Sequence, residues 1–286
     1  SHDLGLNGMA ITDHEALSAH IKALKFYNQK CKDDESWKDF KLILGNEIYL
    51  CRNGLSPETY EKGEKYPHFI LLAKDKIGHA QLRELSTRAW SHSFTMFMTR
   101  VPTYYKDIEE VIGKNPGHVI ASSACIGSWL GICKNNGAGK NAGAFLKWCV
   151  KIFGDDFYVE CAPSTAADQM KVNTTLYKIA KAFNVKMVVG TDSHYLTAAD
   201  RPVHKAYLNS KGGEREVDSF YEFTYLMDSD ECKNLLLNSL PEDFIETIFN
   251  NTIELQDKIQ NYSLERKQII PKVEVKDYPI SQPLNS

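Results

Sequence analysis

The stretch Val185-Lys186-Met187-Val188-Val189-Gly190-Thr191-Asp192-Ser193-His194-Tyr195 runs an apolar segment of strand length directly into an Asp and a His one residue apart. Two further apolar runs end in the same way, Met9-Ala10-Ile11 in Thr12-Asp13-His14 and Leu42-Ile43-Leu44-Gly45-Asn46 in Glu47. Three strand ends therefore deliver carboxylate and imidazole groups. In α/β barrels the chemistry sits at the strand ends and the loops that follow them. Carboxylate with neutral imidazole is also a ligand mixture suited to zinc, manganese or iron.

Outward from these ends, apolar runs alternate with helical patterns, which predicts an α/β fold with a parallel sheet built from βα units. Strands are expected near 9–12, 41–50, 68–73, 118–122, 157–161 and 186–190. Apolar positions at three- and four-residue spacing, as in Leu17, Ile21, Leu24 and Tyr27, predict helices over 15–31, 77–90, 140–153 and 166–183. Thr103 before 104–112 reads as another helix start, and Asn115-Pro116-Gly117 as a turn. Cys51 to Pro67, punctuated by Gly54, Pro57 and Gly63, reads as a hairpin or excursion between strands. After about residue 210 the strands stop. Asp228 to Leu240 and Pro241 to Tyr262 then read as two helices, followed by an extended Pro-bearing tail over 269–275 that looks like a connector.

Bulk composition narrows the class further. With 286 residues, 43% hydrophobic, 25% charged and a net charge of −3, the chain is an ordinary globular sequence able to bury a sizeable core. Its charges do not announce nucleic acid, and Lys22 to Lys32 reads as a solvated helix face. The seven cysteines are scattered, with no Cys-x-x-Cys pair, which argues against a disulfide framework and for a reducing cytoplasmic setting. No apolar run reaches bilayer-spanning length. The chain opens on Ser1 without Met and reads as a fragment whose start lies upstream.

Each candidate residue has an ordinary reading beside the chemical one. Asp192 and His194 alternate along an extended segment, so both side chains point one way, yet an isolated Asp-x-His more often caps a helix. Asp13 is placed to cap or orient the following helix, leaving His14 free to bind a metal. Glu47 closes an apolar run, where a metal or an Arg would resolve the cost of burying its charge. His68 opens the run Phe69-Ile70-Leu71-Leu72-Ala73 and so reads, on pattern alone, as a satisfied core histidine. Cys125 follows the fourth strand and reads either as a thiolate ligand or as an inert buried Cys. The other histidines, His204 among them, read as surface or packing residues. Neither a Gly-x-Ser-x-Gly elbow nor a phosphate-binding Gly-rich loop is present; Gly137-Ala138-Gly139-Lys140 lacks the P-loop spacing.

Taken in order, Gly8 to His14, Ile43 to Tyr49, His68 to Asp75, Ser122 to Gly127, Phe157 to Glu160 and Gly190 to Leu196 resemble the PHP (polymerase and histidinol phosphatase) domain, in the version carried by the bacterial replicative DNA polymerase III alpha subunit. The closing stretch from Asn250 to Leu255 resembles the polymerase version rather than the free-standing phosphatases. The resemblance implies a distorted barrel of seven strands and seven helices with up to three divalent metals in a cleft at one end, Zn or Mn, with Fe or Mg as alternatives. It places Glu47 as a bridge between two metals, Asp192 on the first, His68 and Cys125 on the second, and His14 and His194 on the third. It also places a His-x-His pair and the first barrel strand upstream of residue 1, so six strands are expected here. Residues 1–210 would form the barrel and 211–286 a helical extension toward a polymerase core.

The implied chemistry is metal-dependent phosphoester hydrolysis, in this setting a 3′ to 5′ exonuclease with a proofreading role. Its partners would be DNA, the rest of a replicative polymerase chain, and proofreading or clamp subunits, with no membrane. The alternatives are an inactive PHP scaffold that supports a polymerase core, and a stand-alone phosphatase of the histidinol-phosphatase kind.

Overall fold

The computed structural model describes residues 1–61, 63–96, 98–135, 139–210, 219–267 and 269–270. Of the extended tail read over 269–275, residues 271–275 lie outside them, as do Gly137 and Ala138 of the Gly137 to Lys140 stretch. A mixed α/β architecture emerges. Strand β1 (Gly8–Ile11) leads through helix α1 (Ala19–Asp33) to the long β2 (Lys41–Cys51), and β3 (His68–Ala73) precedes α2 (Lys76–Ser91). Two short strands, β4 (Phe94–Thr95) and β5 (Thr99–Arg100), form a hairpin beside β6 (Pro102–Tyr104) and α3 (Tyr105–Val111). Then come β7 (Val119–Ser122), α4 (Trp129–Asn135), α5 (Gly139–Phe153), β8 (Phe157–Cys161), α6 (Ala167–Phe183), β9 (Met187–Val189), α7 (Arg201–Asn209), α8 (Ser229–Leu236) and α9 (Glu242–Asp257).

The main sheet curls into a half-barrel in the order β1-β2-β3-β7-β8-β9, with β6 as a seventh strand on β2. Seven strands replace the six read from the sequence. The addition is β6, whose register pairs Tyr49 with Pro102 and Cys51 with Tyr104. Thr103 is therefore a buried strand residue rather than a helix cap, and α3 starts at Tyr105 without a side-chain cap. Helix α1 likewise begins four residues later than the periodicity predicts, because Glu15 takes a positive φ of 54° and turns its buried carboxyl to the Tyr49 amide.

The sheet is not wholly parallel. β1 with β2, β7 with β8 and β8 with β9 run parallel, whereas β3 is antiparallel to both β2 and β7. A parallel return from β2 would need a crossover helix. The described residues of the 52–67 connection form turns and no helix, and the chain returns antiparallel.

Successive strand residues face opposite sides. Leu71, Ala73, Val119, Ala121, Phe157, Val159 and Met187 join the large core beneath α2, α5 and α6, in which Leu236 of α8 and Ile245 and Ile248 of α9 also take part. The alternate set, Ile43, Leu72, Ile120, Tyr158 and Val188, lines the concave side and packs on Leu255 of α9 and Ile259 beyond it. α9 also dresses the edge of β9, where Asn251 Nδ2 donates to the Met187 carbonyl at 2.9 Å and the Val189 amide donates to Thr252 Oγ1 at 3.1 Å. An otherwise open strand edge is thereby occupied.

Helix α2 approaches the sheet so closely that Gly78, near its start, has room only for a hydrogen: a Cβ there would lie 1.9 Å from the His118 carbonyl oxygen. Alanine for glycine within a helix ordinarily stabilises by roughly 1 kcal/mol. Here Gly78→Ala is expected to destabilise by about 1–3 kcal/mol through overpacking, measured by urea unfolding. A variant as stable as the parent would contradict the packing of α2.

Candidate metal centre

The antiparallel course of β3 sets up the site. His68 is its first residue and lies opposite Tyr49, near the C-terminal end of β2. A strand beginning here is at the same sheet end where its antiparallel neighbours β2 and β7 finish. His68 therefore joins Glu47 instead of the hydrophobic core. Glu47, Ser122 and Glu160 share the sheet face of Ile43, Ile120 and Tyr158, so the groove that α9 plugs at one end is polar at the other.

Glu47 is the hub, at only 5% exposure. Its Oε1 accepts from His68 Nδ1 at 2.8 Å, and its Oε2 lies 3.7 Å from His14 Nε2. Donor atoms of His14, Glu47 and His68 all lie within 4.8 Å of one another, close enough to hold one ion. The main chain fixes this trio: the Glu47 amide donates to the Asp13 carbonyl and the Glu15 amide to the Glu47 carbonyl at 2.9 Å. Asp13 acts here through its carbonyl, which also accepts from Asn46 Nδ2 at 2.8 Å. It does not cap α1, whose N-cap residue is Ser18.

Cys125 Sγ lies 3.4 Å from His68 Nδ1. Across the cleft, His194 Nδ1 is 2.7 Å from the Asp192 carbonyl and 3.7 Å from its carboxylate. A carbonyl only accepts, so Nδ1 carries the proton and Nε2 keeps its lone pair for a ligand. His194 is anchored by its amide, which donates to the Thr224 carbonyl at 2.7 Å. Three of the four described non-glycine residues with positive φ lie at this site: Glu15 beside His14, Ala124 beside Cys125, and Asp192 itself. Strained backbone persists where the surroundings hold a side chain in a set direction.

The electrostatics describe a cleft short of positive charge. Burial works to raise the Glu47 carboxyl, but the His68 bond and the imidazoles of His14, His68 and His194 outweigh it and hold it below the usual range. Burial lowers His14, against the pull of Glu47. Asp192 is raised by burial and by the charge of Glu47. Cys125 is raised well above an ordinary thiol by burial and by the charges of Asp192 and Glu47. A cation would relieve each repulsion at once, and the donor set of neutral imidazoles, carboxylates and a thiol is chemically fit for one.

Glu160 belongs to the same cleft, although sequence reading assigned it no role. Its carboxylate accepts from the Ser122 hydroxyl, and its amide donates to Ser123 Oγ at 2.9 Å. Gly190, two residues before Asp192, packs against it so tightly that a Cβ there would lie 2.2 Å from Glu160 Oε1. The signal was available, since Glu160 nears the end of an apolar strand as Glu47 does. His204, taken from the sequence as a packing or surface residue, is buried with its ring 5.5 Å from that of His194.

Comparison with known proteins agrees with this architecture. A family model described as the PHP domain matches residues 1–164. The chain is 40% identical to the probable DNA polymerase YorL of Bacillus subtilis over 96% of its own length and 22% of that protein. It is 29% identical to the DNA polymerase III subunit alpha of Aquifex aeolicus over 92% of the chain and 21% of the relative. For the same subunit of Borreliella burgdorferi the figures are 26% identity, 91% and 21%. The chain thus spans about a fifth of the length of the curated relatives it matches. It belongs to the PHP domain family.

Burial lifts the Glu160 carboxyl to about 7 from 4.5, against the Ser122 hydroxyl and with the charges of Asp192 and Glu47 adding to it. A carboxyl whose pKa is higher folded than unfolded keeps its proton in the native state. Its stabilising contribution is full below about 4.5 and is lost as pH rises through about 7. Glu160→Gln, which still accepts from Ser122 and cannot ionise, is expected to exceed the metal-free parent in stability by roughly 3 kcal/mol at pH 8 and to match it near pH 4.5. Urea unfolding at the two pH values measures this; an equal difference at both would contradict it.

Proposed function

We propose that this chain is the PHP domain of a replicative DNA polymerase akin to the polymerase III alpha subunit, and that it hydrolyses phosphoesters at DNA 3′ ends with divalent metals. The ligands would be His14, Glu47, His68, Cys125, Asp192 and His194. The observation that carries this reading is Glu47, a buried carboxylate held ionised among imidazoles, with a second carboxyl and a thiol close by. Imidazole, carboxylate and thiol together suit zinc, and the carboxylates and imidazoles also suit manganese.

When bound, such ions supply Lewis acidity toward water and toward phosphoryl oxygens. The remaining work falls to the chain. Glu47 and Asp192 provide the negative charge that retains cations in a cleft with few other anions to spare. His14 and His194, whose side chains are 40% and 32% exposed, face the solvent side from which a phosphate enters. Glu160, protonated below about pH 7, keeps the cleft floor neutral. Residues 1–210 would act as the catalytic barrel and 211–286 as a helical extension toward a polymerase core. DNA and the remaining polymerase chain are the proposed partners, with proofreading or clamp subunits as further ones. No helix among the described residues is long and apolar enough to cross a membrane.

Elemental analysis after mild purification, with hydrolysis of a 3′-labelled DNA strand alongside, tests the proposal. His194→Ala and Asp192→Asn are each expected to lower metal content and to cut hydrolysis about a hundredfold or more, with the melting curve little changed. Unchanged metal content in both would overturn the ligand assignment. A parent chain that stays metal-free after incubation with Zn and Mn would point to a scaffold. Activity on histidinol phosphate without activity on DNA ends would point to a small-molecule phosphatase.

A further inference from the structure

Gln169, the third residue of α6, is only 2% exposed, and a chain of hydrogen bonds fixes which way its amide points. The Ala162 amide, which can only donate, gives to Asn173 Oδ1 at 3.3 Å, and the Ala162 carbonyl, which can only accept, takes from Asn173 Nδ2 at 2.8 Å. With Asn173 set, the group of Gln169 that meets Asn173 Oδ1 at 2.9 Å is the donor Nε2. Gln169 Oε1 therefore faces away from Asn173. There it is shielded from water and accepts from no described residue.

Gln169 lines a small cavity of about 10 Å³ together with Ser164, Thr191, Asp192 and Thr224. Two of the proposed metal ligands depend on the walls of this cavity. Asp192 forms part of one wall, in a left-handed backbone with φ of 46°. Thr224 forms another, and its carbonyl accepts from the His194 amide at 2.7 Å. Ser164, 2% exposed, already accepts at Oγ from the Ala166 amide at 3.0 Å, while its own proton reaches no acceptor among the described residues. One cavity is thus lined by an acceptor that needs a donor and a donor that needs an acceptor. A cation would serve Gln169 and not the Ser164 proton. A water serves both, because it donates and accepts, and about 10 Å³ is close to the least space that holds one.

We propose that Gln169 is a positioning residue for Asp192, acting through a single buried water that Gln169 Oε1 and Ser164 Oγ hold against the turn of Thr191 and Asp192. This deepens the metal-centre reading and rests on it for what Asp192 does once it is held. A buried water typically makes about three hydrogen bonds, which leaves one for the turn. Left-handed backbone at a residue other than glycine persists where its surroundings over-determine it, and the bridge supplies part of that determination. Gln169 touches neither metal nor substrate; it governs how firmly Asp192 is aimed.

The test compares the parent chain with Gln169→Met, which keeps the side-chain length and loses the acceptor, and with Ser164→Ala, which loses the donor. Two readouts need no metal. Crystals of the parent are expected to show a water within hydrogen-bonding distance of Gln169 Oε1 and Ser164 Oγ, a result that requires no folded variant. Exchange of the His194 amide is expected to be about tenfold faster in either variant. Zinc affinity, read by competition with a chromophoric chelator, is expected to fall about tenfold or more in each variant and no further in the double variant, since both act through one water. A parent cavity that holds a side chain of the chain itself or a metal ion would overturn the proposal. So would variants equal to the parent in His194 exchange and zinc affinity, or losses that add in the double variant. A parent that binds no zinc would instead overturn the metal reading, and the crystal and the exchange rates would still decide this one.

Discussion

Pairing of β2 with an antiparallel β3 is the constraint on which the candidate site depends. It sets His68 opposite Tyr49 and within 2.8 Å of the Glu47 carboxylate. Were β3 parallel, as in a regular βα repeat, His68 would stand at the opposite end of the sheet. The 52–67 connection decides this, because its turns return the chain directly. β1, β7 and β9 then supply His14, Cys125, Asp192 and His194 just beyond their C-terminal ends, as open and closed α/β sheets commonly do, while Glu47 projects from within β2.

Charge imposes the second condition. Glu47, Asp192, Glu160 and Cys125 crowd into one cleft, and in the absence of a cation burial and mutual repulsion lift all but Glu47 above their ordinary pKa values. Glu47 escapes because three imidazoles face it. Polar groups of this number, set beside positive-φ backbone at Glu15, Ala124 and Asp192, are a standing cost to the fold. The large core under α2, α5 and α6 and the α9 plug beneath the groove offset it.

Much of this was readable from residues alone, and the failures have physical reasons. Six strands stood out because buried strands are written as short apolar runs bounded by polar turns. Strand direction is not readable, since alternation is the same in either sense, so on pattern alone His68 reads as a core residue. β6 was missed because three residues, Pro102 to Tyr104, carry no period. Helix α1 was started too early because Glu15 fits a helical pattern in type but adopts a left-handed backbone. Asp192, His194, Glu47 and His14 were legible as strand-end polar groups. Glu160 is equally legible, whereas the place of His204 beside His194 depends on the packing of α7, which the sequence does not show.

The proposed function rests on His14, Glu47 and His68, whose donor atoms lie together, sharing a metal at the end of the half-barrel. Anomalous diffraction at the zinc edge, from crystals of the chain grown with zinc, tests it most directly. The expected result is a peak about 2.0–2.3 Å from donor atoms of these three residues. Peaks confined to other histidines on the surface, with the cleft empty of anomalous signal, would contradict it.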